Sequence, residues 1–509
     1  MSGPRKGAGL FARRSMSPWL LLVPAFVSLG AVSVYPILNG LWLSLTNTSL
    51  VTQENDFVGL ANYGLLWNDT LFWNAWRHTL VFTLVSTLAE TMLGLAMALL
   101  LYEPFRGRAI VRAAMLVPWA MPTVVTSKMF GWLFDGQHGL VNYLLLQAGL
   151  IDANVNWYGS VDNALGTIIF ADVWKTTPFM ALLLLAGLHT IPILDPAVRL
   201  RLDADHRHVR DGSLHRARLR HLRGAPDAEG GMNETRPVLH SLVLYLGGAL
   251  ILLWSGGPFV WQLSTSFQLD RELTAGTPTF FPDPFTWEHY RNIFVEKQFQ
   301  DYVVNSIIVA GLTTLVCLFI GALAAFALSR LDIKGRFGVL GLILSISMFP
   351  QIALVGPLYL VASTFGLLDT FTGLVITYVA LGLPLVTWVL FGYFETLPRE
   401  IDEAARMDGV TTLGLLFRII LPMSLPSLVT TGLLAFIAAW NEFMFALAFT
   451  STPDHQTIPV GIANFTNLYY VPWGDIAAAS VVVTVPLIAL VLVFQRHIIE
   501  GLTQGGVKE

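Results

Sequence analysis

Apolar residues in this 509-residue chain arrive in blocks of about 20, divided by short polar stretches, and that spacing leaves few folds open. It is the length a helix needs to cross a hydrocarbon core about 30 Å thick. Only 13% of residues are charged, against roughly 25% in soluble domains. Inside lipid every backbone N–H and C=O must be satisfied within the segment, which favours helices. The fold class is therefore all-α transmembrane. Hydropathy places four spans in the first part, roughly Pro18 to Leu45, Arg77 to Leu101, Ile110 to Phe134 and Asn163 to Leu188. Six follow, roughly Val238 to Phe267, Tyr302 to Leu328, Phe337 to Leu360, Thr370 to Phe391, Leu425 to Phe449 and Ile476 to Phe494. Residues 1–17 carry Arg5, Lys6, Arg13 and Arg14, and the apolar run after them has no small-residue cleavage site, so it reads as a retained first span. The single cysteine, Cys317, lies in an apolar block, which excludes a disulfide framework.

Orientation follows from Lys and Arg, which concentrate in short cytoplasmic loops. With the N-terminus inside, the cytoplasmic connections hold Arg106 and Arg108, then nine Arg between His189 and Pro237, then Arg330, Lys334 and Arg336. The opposite loops, Thr46 to Trp76, Asp135 to Asp162 and Ser451 to Asp475, hold no Lys or Arg. Gln268 to Asp301 alone mixes signs. Both termini are expected in the cytoplasm, residues 496–509 forming a tail there.

The two parts repeat one another. Gly94-Leu-Ala-Met-Ala-Leu-Leu-Leu leads to Gly107-Arg108, and Gly321-Ala-Leu-Ala-Ala-Phe-Ala-Leu leads to Gly335-Arg336. Each Arg is followed after fourteen residues by Pro122 or Pro350, and the pairs Pro178/Pro192 and Pro384/Pro398 share the same fourteen-residue separation. Both copies start on the same side, so the repeat is parallel and implies a pathway between halves.

Between the eighth and ninth spans, residues 397–422 form a candidate docking loop. Pro398 suits a first helical turn and Gly409 a helix end. Glu400, Asp402 and Glu403 complement the N-terminal dipole, and Asp402 can pair with Arg406 at i,i+4. The resulting helix is too short to span and too polar for lipid. Ile401, Ala404 and Ala405 give it a narrow stripe of mostly small apolar side chains that suits a shallow groove on a partner.

Glu403-Ala404-Ala405, then Gly409, then Ile419, Leu421 and Pro422 resemble the EAA loop of ABC importer permeases, and Met232 to Glu509 is similar to the second permease of the maltose/trehalose type. Trp440-Asn441-Glu442-Phe443, Ile462-Ala463-Asn464-Phe465 and the tail through Gln504, Gly505 and Gly506 add to the likeness. The resemblance implies a type I importer permease fold of about ten transmembrane helices, four plus six, in a bacterial plasma membrane. It further implies that Glu403, Ala404, Ala405, Asp408, Gly409, Ile419, Leu421 and Pro422 engage a cytoplasmic ABC ATPase dimer, and that the tail faces it. An extracytoplasmic sugar-binding protein would deliver a carbohydrate such as trehalose or maltose.

Met1 to Pro192 is similar to the partner permease of the same importers, notably through Glu90 to Gly94, Arg106 to Pro118, and Asp172 to Met180 on through Gly187 to Pro192. By the Pro398-to-Glu403 spacing a docking glutamate belongs at position 197, where Ala197 stands. Residues 193–231 hold eight Arg and four His with no Lys and no aromatic residue, and two spans of the first unit are missing. Two readings stay open for the 193–237 linker: a basic cytoplasmic loop, or an out-of-frame translation of a docking region. On the first division the chain is a partial permease, 18–192, followed by a complete one, 238–495. A second permease copy is then a further candidate partner.

No Gly-x-x-x-x-Gly-Lys-Ser/Thr occurs, so ATP and Mg belong on the partner ATPase, and the chain itself is read as a transport subunit, not an enzyme. No metal-ligand spacing stands out; His206 and His208 fall in the His-rich linker. No feature points to nucleic acid; the remaining surface is for lipid. Ionisable groups inside spans should face an interior. Asp172 and Lys175 can pair on one helical face, and Glu90, Lys128 and Glu442 lie in other spans. With Trp174, Trp440 and Asn441, whose aromatic faces and amide suit a hydroxyl-rich sugar, Asp172, Lys175 and Glu442 are the pathway candidates. Two other functions remain: an ion-driven secondary transporter, and a fused remnant that docks an ATPase without moving sugar.

Overall fold

The computed structural model describes residues 17–48, 55–189, 238–275, 277–466 and 470–504. The linker from position 190 to 237, with Ala197, His206 and His208, and the tail residues Gly505 and Gly506, lie outside the described residues. The main helices are α1 (Pro18–Ser44), α2 (Thr70–Tyr102), α3 (Arg108–Ala120), α4 (Thr123–Leu133), α5 (Val161–His189) and α6 (Val238–Thr265). After the short α7 (Glu288–Val295) come α8 (Phe299–Arg330), α9 (Arg336–Ser347), α10 (Gln351–Thr364), α11 (Phe371–Thr396), α12 (Glu400–Met407), α13 (Leu425–Trp440) and α14 (Trp473–Gln504).

Among the described residues seven helices are long and apolar enough to cross a membrane, and up to ten if three bent pairs each count as one span. The bends correct the straight spans expected over Ile110 to Phe134 and Phe337 to Leu360. The α3–α4 pair turns by 96° and the α9–α10 pair by 87°. Pro122 and Pro350 cause both breaks, since each lacks the N–H of an intrahelical bond and pushes the residue before it out of the helical region. The expected Leu425 to Phe449 span likewise ends at Trp440, and a short Met444–Phe449 helix follows.

The described contacts resolve into two compact units, neither of which follows chain order. Unit 1 comprises the chain up to Asp69 with Gln298–Asn464; unit 2 comprises Thr70–Lys297 with the chain from Phe465. The first span thus joins the helices of the second repeat, and the spans α6 and α14 join those of the first. In unit 1, Leu21, Leu22, Ala25 and Leu29 of α1 pack with Leu383, Val386 and Leu390 of α11 around α8. Residues 322–330 of α8 are all buried, because alanines at 322, 324, 325 and 327 let neighbours approach from every side.

The repeat read from sequence is present in the packing of each unit. Within unit 2 a Cβ on Gly94 would meet Met180 and Ala181, the second and third residues after Pro178. Within unit 1 a Cβ on Gly321 would meet Val386 and Thr387, the second and third residues after Pro384. The two glycines therefore serve equivalent close approaches, α2 to α5 and α8 to α11.

Candidate docking site

Local rules build α12. Leu397 is extended ahead of Pro398, which ends α11 at Thr396, and the N–H groups of Asp402 and Glu403 then close onto the Arg399 carbonyl. Pro398 thus sits ahead of the cap and not, as expected, within the first turn. The helix stops at Gly409, whose φ of +76° is the left-handed conformation that favours glycine. Gly409 N–H donates to Arg406 O at 3.1 Å and Val410 N–H to Ala405 O at 3.0 Å, the paired bonds of a Schellman motif.

The inward face of α12 is held by charge. Arg330, at the end of α8, has no side-chain exposure; its Nη1 donates to Asp402 Oδ2 at 3.3 Å. Its Nη2 donates to the carbonyls of Phe394 and Leu397, the last turn of α11. Arg399 reaches back, its Nη2 donating to Ser329 O at 2.6 Å and its Nη1 to Arg330 O at 3.5 Å. Arg336 pairs with both Glu395 carboxylate oxygens at 2.9 and 3.3 Å. A cavity of about 600 Å³ lies here, lined in part by Ile333, Arg336, Phe337, Glu403 and Arg406.

These contacts revise the sequence reading of the helix faces. Asp402 turns inward to Arg330, so its expected partner Arg406 is left on the exposed side. Ala405 is 4% exposed and belongs to the core of its own unit, so it cannot lie in the stripe offered to a partner. The exposed face carries Glu403, Ala404, Met407 and Asp408, with Met407 84% exposed. The sequence reading missed Arg330, Glu395 and Arg399. One signal was available: a cation ending an otherwise unbroken apolar helix must find acceptors where the helix leaves lipid.

Beyond Gly409 the chain is anchored by Leu415, Leu416 and Ile420, all buried, whereas Ile419 and Leu421 are half-buried and Pro422 is exposed. Thr411 caps the next turn by accepting from Gly414 N at 3.1 Å. Leu416–Ile420 is π-helical, closed by Leu421 N–H onto Leu416 O. Pro422 explains it: a proline cannot donate, and the residue before it takes the wider turn. The same device precedes Pro36, where Tyr35 N–H reaches Gly30 O.

The pathway candidates fall in two places. Asp172, Trp174 and Lys175 lie on α5 in unit 2, and Trp440, Asn441 and Glu442 end α13 in unit 1. Lys175 Nζ donates to Met121 O and Thr123 Oγ1, both at 2.8 Å, and so satisfies the backbone at the α3–α4 break. Trp174 is buried against Phe130, its Nε1 donating to Trp254 O at 2.6 Å. Asp172 faces Glu90 of α2. Glu442 accepts from the N–H groups of Phe445 at 2.8 Å and Ala446 at 3.1 Å, capping the helix that follows. Trp440 is buried and Asn441 half-buried beside it. Four of the six thus have bonds or burial that suit helix packing. Gln504 is the last residue of α14.

The family model described as "Binding-protein-dependent transport system inner membrane component" matches residues 317–504, from mid-α8 to the end of α14 and so across the whole candidate docking segment. A trehalose/maltose transport system permease protein from Thermococcus litoralis is 43% identical over 279 residues, 53% of this chain and 98% of the relative. A sulfoquinovosyl glycerol transport system permease protein from Agrobacterium fabrum is 38% identical over 52% of this chain and 93% of its own length. A trehalose transport system permease protein from Mycobacterium tuberculosis is 40% identical over 49% of this chain and 92% of its own.

Proposed function

The chain belongs to the family of binding-protein-dependent transport system inner membrane components, and from that premise we infer that it is the permease of an ATP-driven carbohydrate importer. Its docking element is α12. An ABC ATPase dimer receives the exposed face of Glu403, Ala404, Met407 and Asp408, and a binding protein delivers the sugar on the other side of the membrane. The termini lie in the cytoplasm, an orientation supported by the Lys and Arg distribution. ATP and Mg belong to the partner. The observation that carries the reading is the build of α12. Its inward face is fixed by a buried ion pair and its end by a Schellman glycine, while an acidic, partly apolar face is left outward.

The sugar is a disaccharide or a glycoside of similar size. Support comes from the relatives, whose names carry trehalose, maltose and sulfoquinovosyl glycerol at similar identities. The test is affinity purification of the tagged full chain from its host cells, followed by ATP hydrolysis and uptake of labelled trehalose and maltose in proteoliposomes. The expected result is an ABC ATPase that copurifies with the chain, and Glu403→Lys and Gly409→Val variants that abolish uptake. Uptake that survives both variants, or that a protonophore stops and vanadate does not, refutes the docking role.

A further inference from the structure

The ends of α8 and α11 are tied to α12, and to each other, by two arginines that cap in opposite directions. The last carbonyls of a helix have no partner within it. Arg330 belongs to α8 and donates to the Phe394 and Leu397 carbonyls at the end of α11, while its Nη1 holds Asp402 of α12. Arg399 belongs to the turn between α11 and α12 and donates to the Ser329 and Arg330 carbonyls at the end of α8. Each guanidinium thus closes the other's helix, and cations are favoured at those C-terminal ends by the helix dipole. Glu395 of α11 joins Arg336 at the start of α9 to Arg399, so the lattice also spans the α8–α9 turn.

A planar guanidinium with several donors suits this position because its fork fixes direction as well as charge. A lysine at 330 would bring the same charge without the fixed geometry. The alanines at 322, 324, 325 and 327 bring the neighbouring helices close enough for a buried arginine to reach them.

We propose that Arg330 and Arg399 are positioning residues that lock α12 to the ends of α8 and α11. A displacement of the docking helix then moves both spanning helices as one body. The inference rests on the proposed docking role for its functional meaning, but the lock itself can be measured without any partner.

The experiment places spin labels at Met407 on α12 and Leu315 on α8, both exposed, in a Cys317→Ser background of the full chain in nanodiscs. The wild-type arginines should give one narrow distance distribution. Arg330→Met should broaden it and add a longer component, Arg330→Lys should lie between, and Arg399→Met, at a half-exposed side chain, should broaden it without threatening the fold. With the ATPase bound, Arg330→Met should retain the partner and hydrolyse ATP while uptake of labelled maltose falls at least tenfold. A distribution as narrow in Arg330→Met and Arg399→Met as in wild type overturns the proposal. A wild-type chain that retains no ATPase refutes the docking role instead, and leaves the label result standing as the test of the lock.

Discussion

The two units close equivalent long helices by a shared local device, and one unit adds to it. In unit 2, α2 ends at Tyr102, and Arg108 from the next helix donates to Tyr102 O at 3.1 Å. In unit 1 the residue matching Tyr102 by its offset from the repeat glycine is Ser329, and Arg336, the arginine after the second glycine, donates to Ser329 O at 3.4 Å. Gly107 and Gly335 enable both turns with φ of +88° and +77°. Unit 2 supplements its cap with Arg112, one helical turn beyond Arg108, on Leu101 O at 3.0 Å. Unit 1 supplements it with Arg399, about seventy residues on, and answers with Arg330, where unit 2 has Glu103. A local cap finishes a helix; a distant one joins elements, and in unit 1 the element joined is α12, the proposed docking helix.

The comparison can be broken most sharply by removing one arginine from each unit. Arg330→Met leaves Asp402 buried without its cation, and a buried pair that loses one partner costs about 3–5 kcal/mol. Arg112→Met removes one charge-assisted bond to a carbonyl, a loss of about 1.5–3 kcal/mol. Thermal unfolding of the two variants in one detergent should show the larger drop in midpoint for Arg330→Met. Equal drops would mean that the distant clasp adds nothing to the local one.

The repeat glycines give a smaller and more symmetric effect. An alanine at 321 would place its Cβ 2.5 Å from Val386 Cγ1, on a stiff β-branched side chain; one at 94 would lie 3.0 Å from the flexible Met180 and 3.2 Å from the Ala181 backbone. Overpacking of this kind costs about 1–3 kcal/mol. Gly321→Ala should sit at the upper end and Gly94→Ala at the lower, read again from unfolding midpoints. A Gly321→Ala variant as stable as wild type would show that α8 and α11 can separate without loss, against the close approach on which the arginine clasp depends.

Much of this was legible in the sequence, and the reasons differ by element. Span positions were readable because hydrocarbon thickness sets length. The breaks at Pro122 and Pro350 were not taken from the same prolines, because apolarity continues across them and hydropathy is blind to direction. Gly409 was readable because one backbone conformation favours glycine. The inward turn of Asp402 and Ala405 was not, since its cause is Arg330, 72 residues away. For the same reason Ile419 and Leu421 drew attention by motif, while burial selects Leu416 and Ile420. The exchange of α1, α6 and α14 between units left no trace in local pattern at all, because lipid-facing and partner-facing helices are equally apolar.

The smallest expected effect concerns charge state and separates the units chemically. The clasp of unit 1 is built on arginines, which stay charged across the accessible range. Unit 2 instead holds α7 to the start of α14 through His289, whose Nδ1 lies 2.9 Å from Asp475 Oδ1 and whose Nε2 lies 2.8 Å from the Gln268 carbonyl. An ionised carboxylate and a carbonyl both accept, so this pairing favours the doubly protonated ring, with each nitrogen donating, over the neutral one. Asp270 approaches to 3.9 Å, Lys297 sits 3.5 Å from the other Asp475 oxygen, and Tyr470 donates to Asp270. Burial opposes the charge on His289, but the Asp475 and Gln268 hydrogen bonds, with the charges of Asp270 and Asp475, outweigh it and raise the imidazole above its ordinary value. A group raised in the folded state stabilises fully below its unfolded value of about 6.5 and loses that contribution as pH rises through the folded value. The unfolding midpoint of the wild-type chain should therefore decline as pH rises above the unfolded value of about 6.5. His289→Gln can still donate to one acceptor but cannot titrate, and it should flatten that decline while lowering the midpoint at the acid end. A decline of the same size in His289→Gln would assign the pH dependence elsewhere and remove the titratable clamp from unit 2.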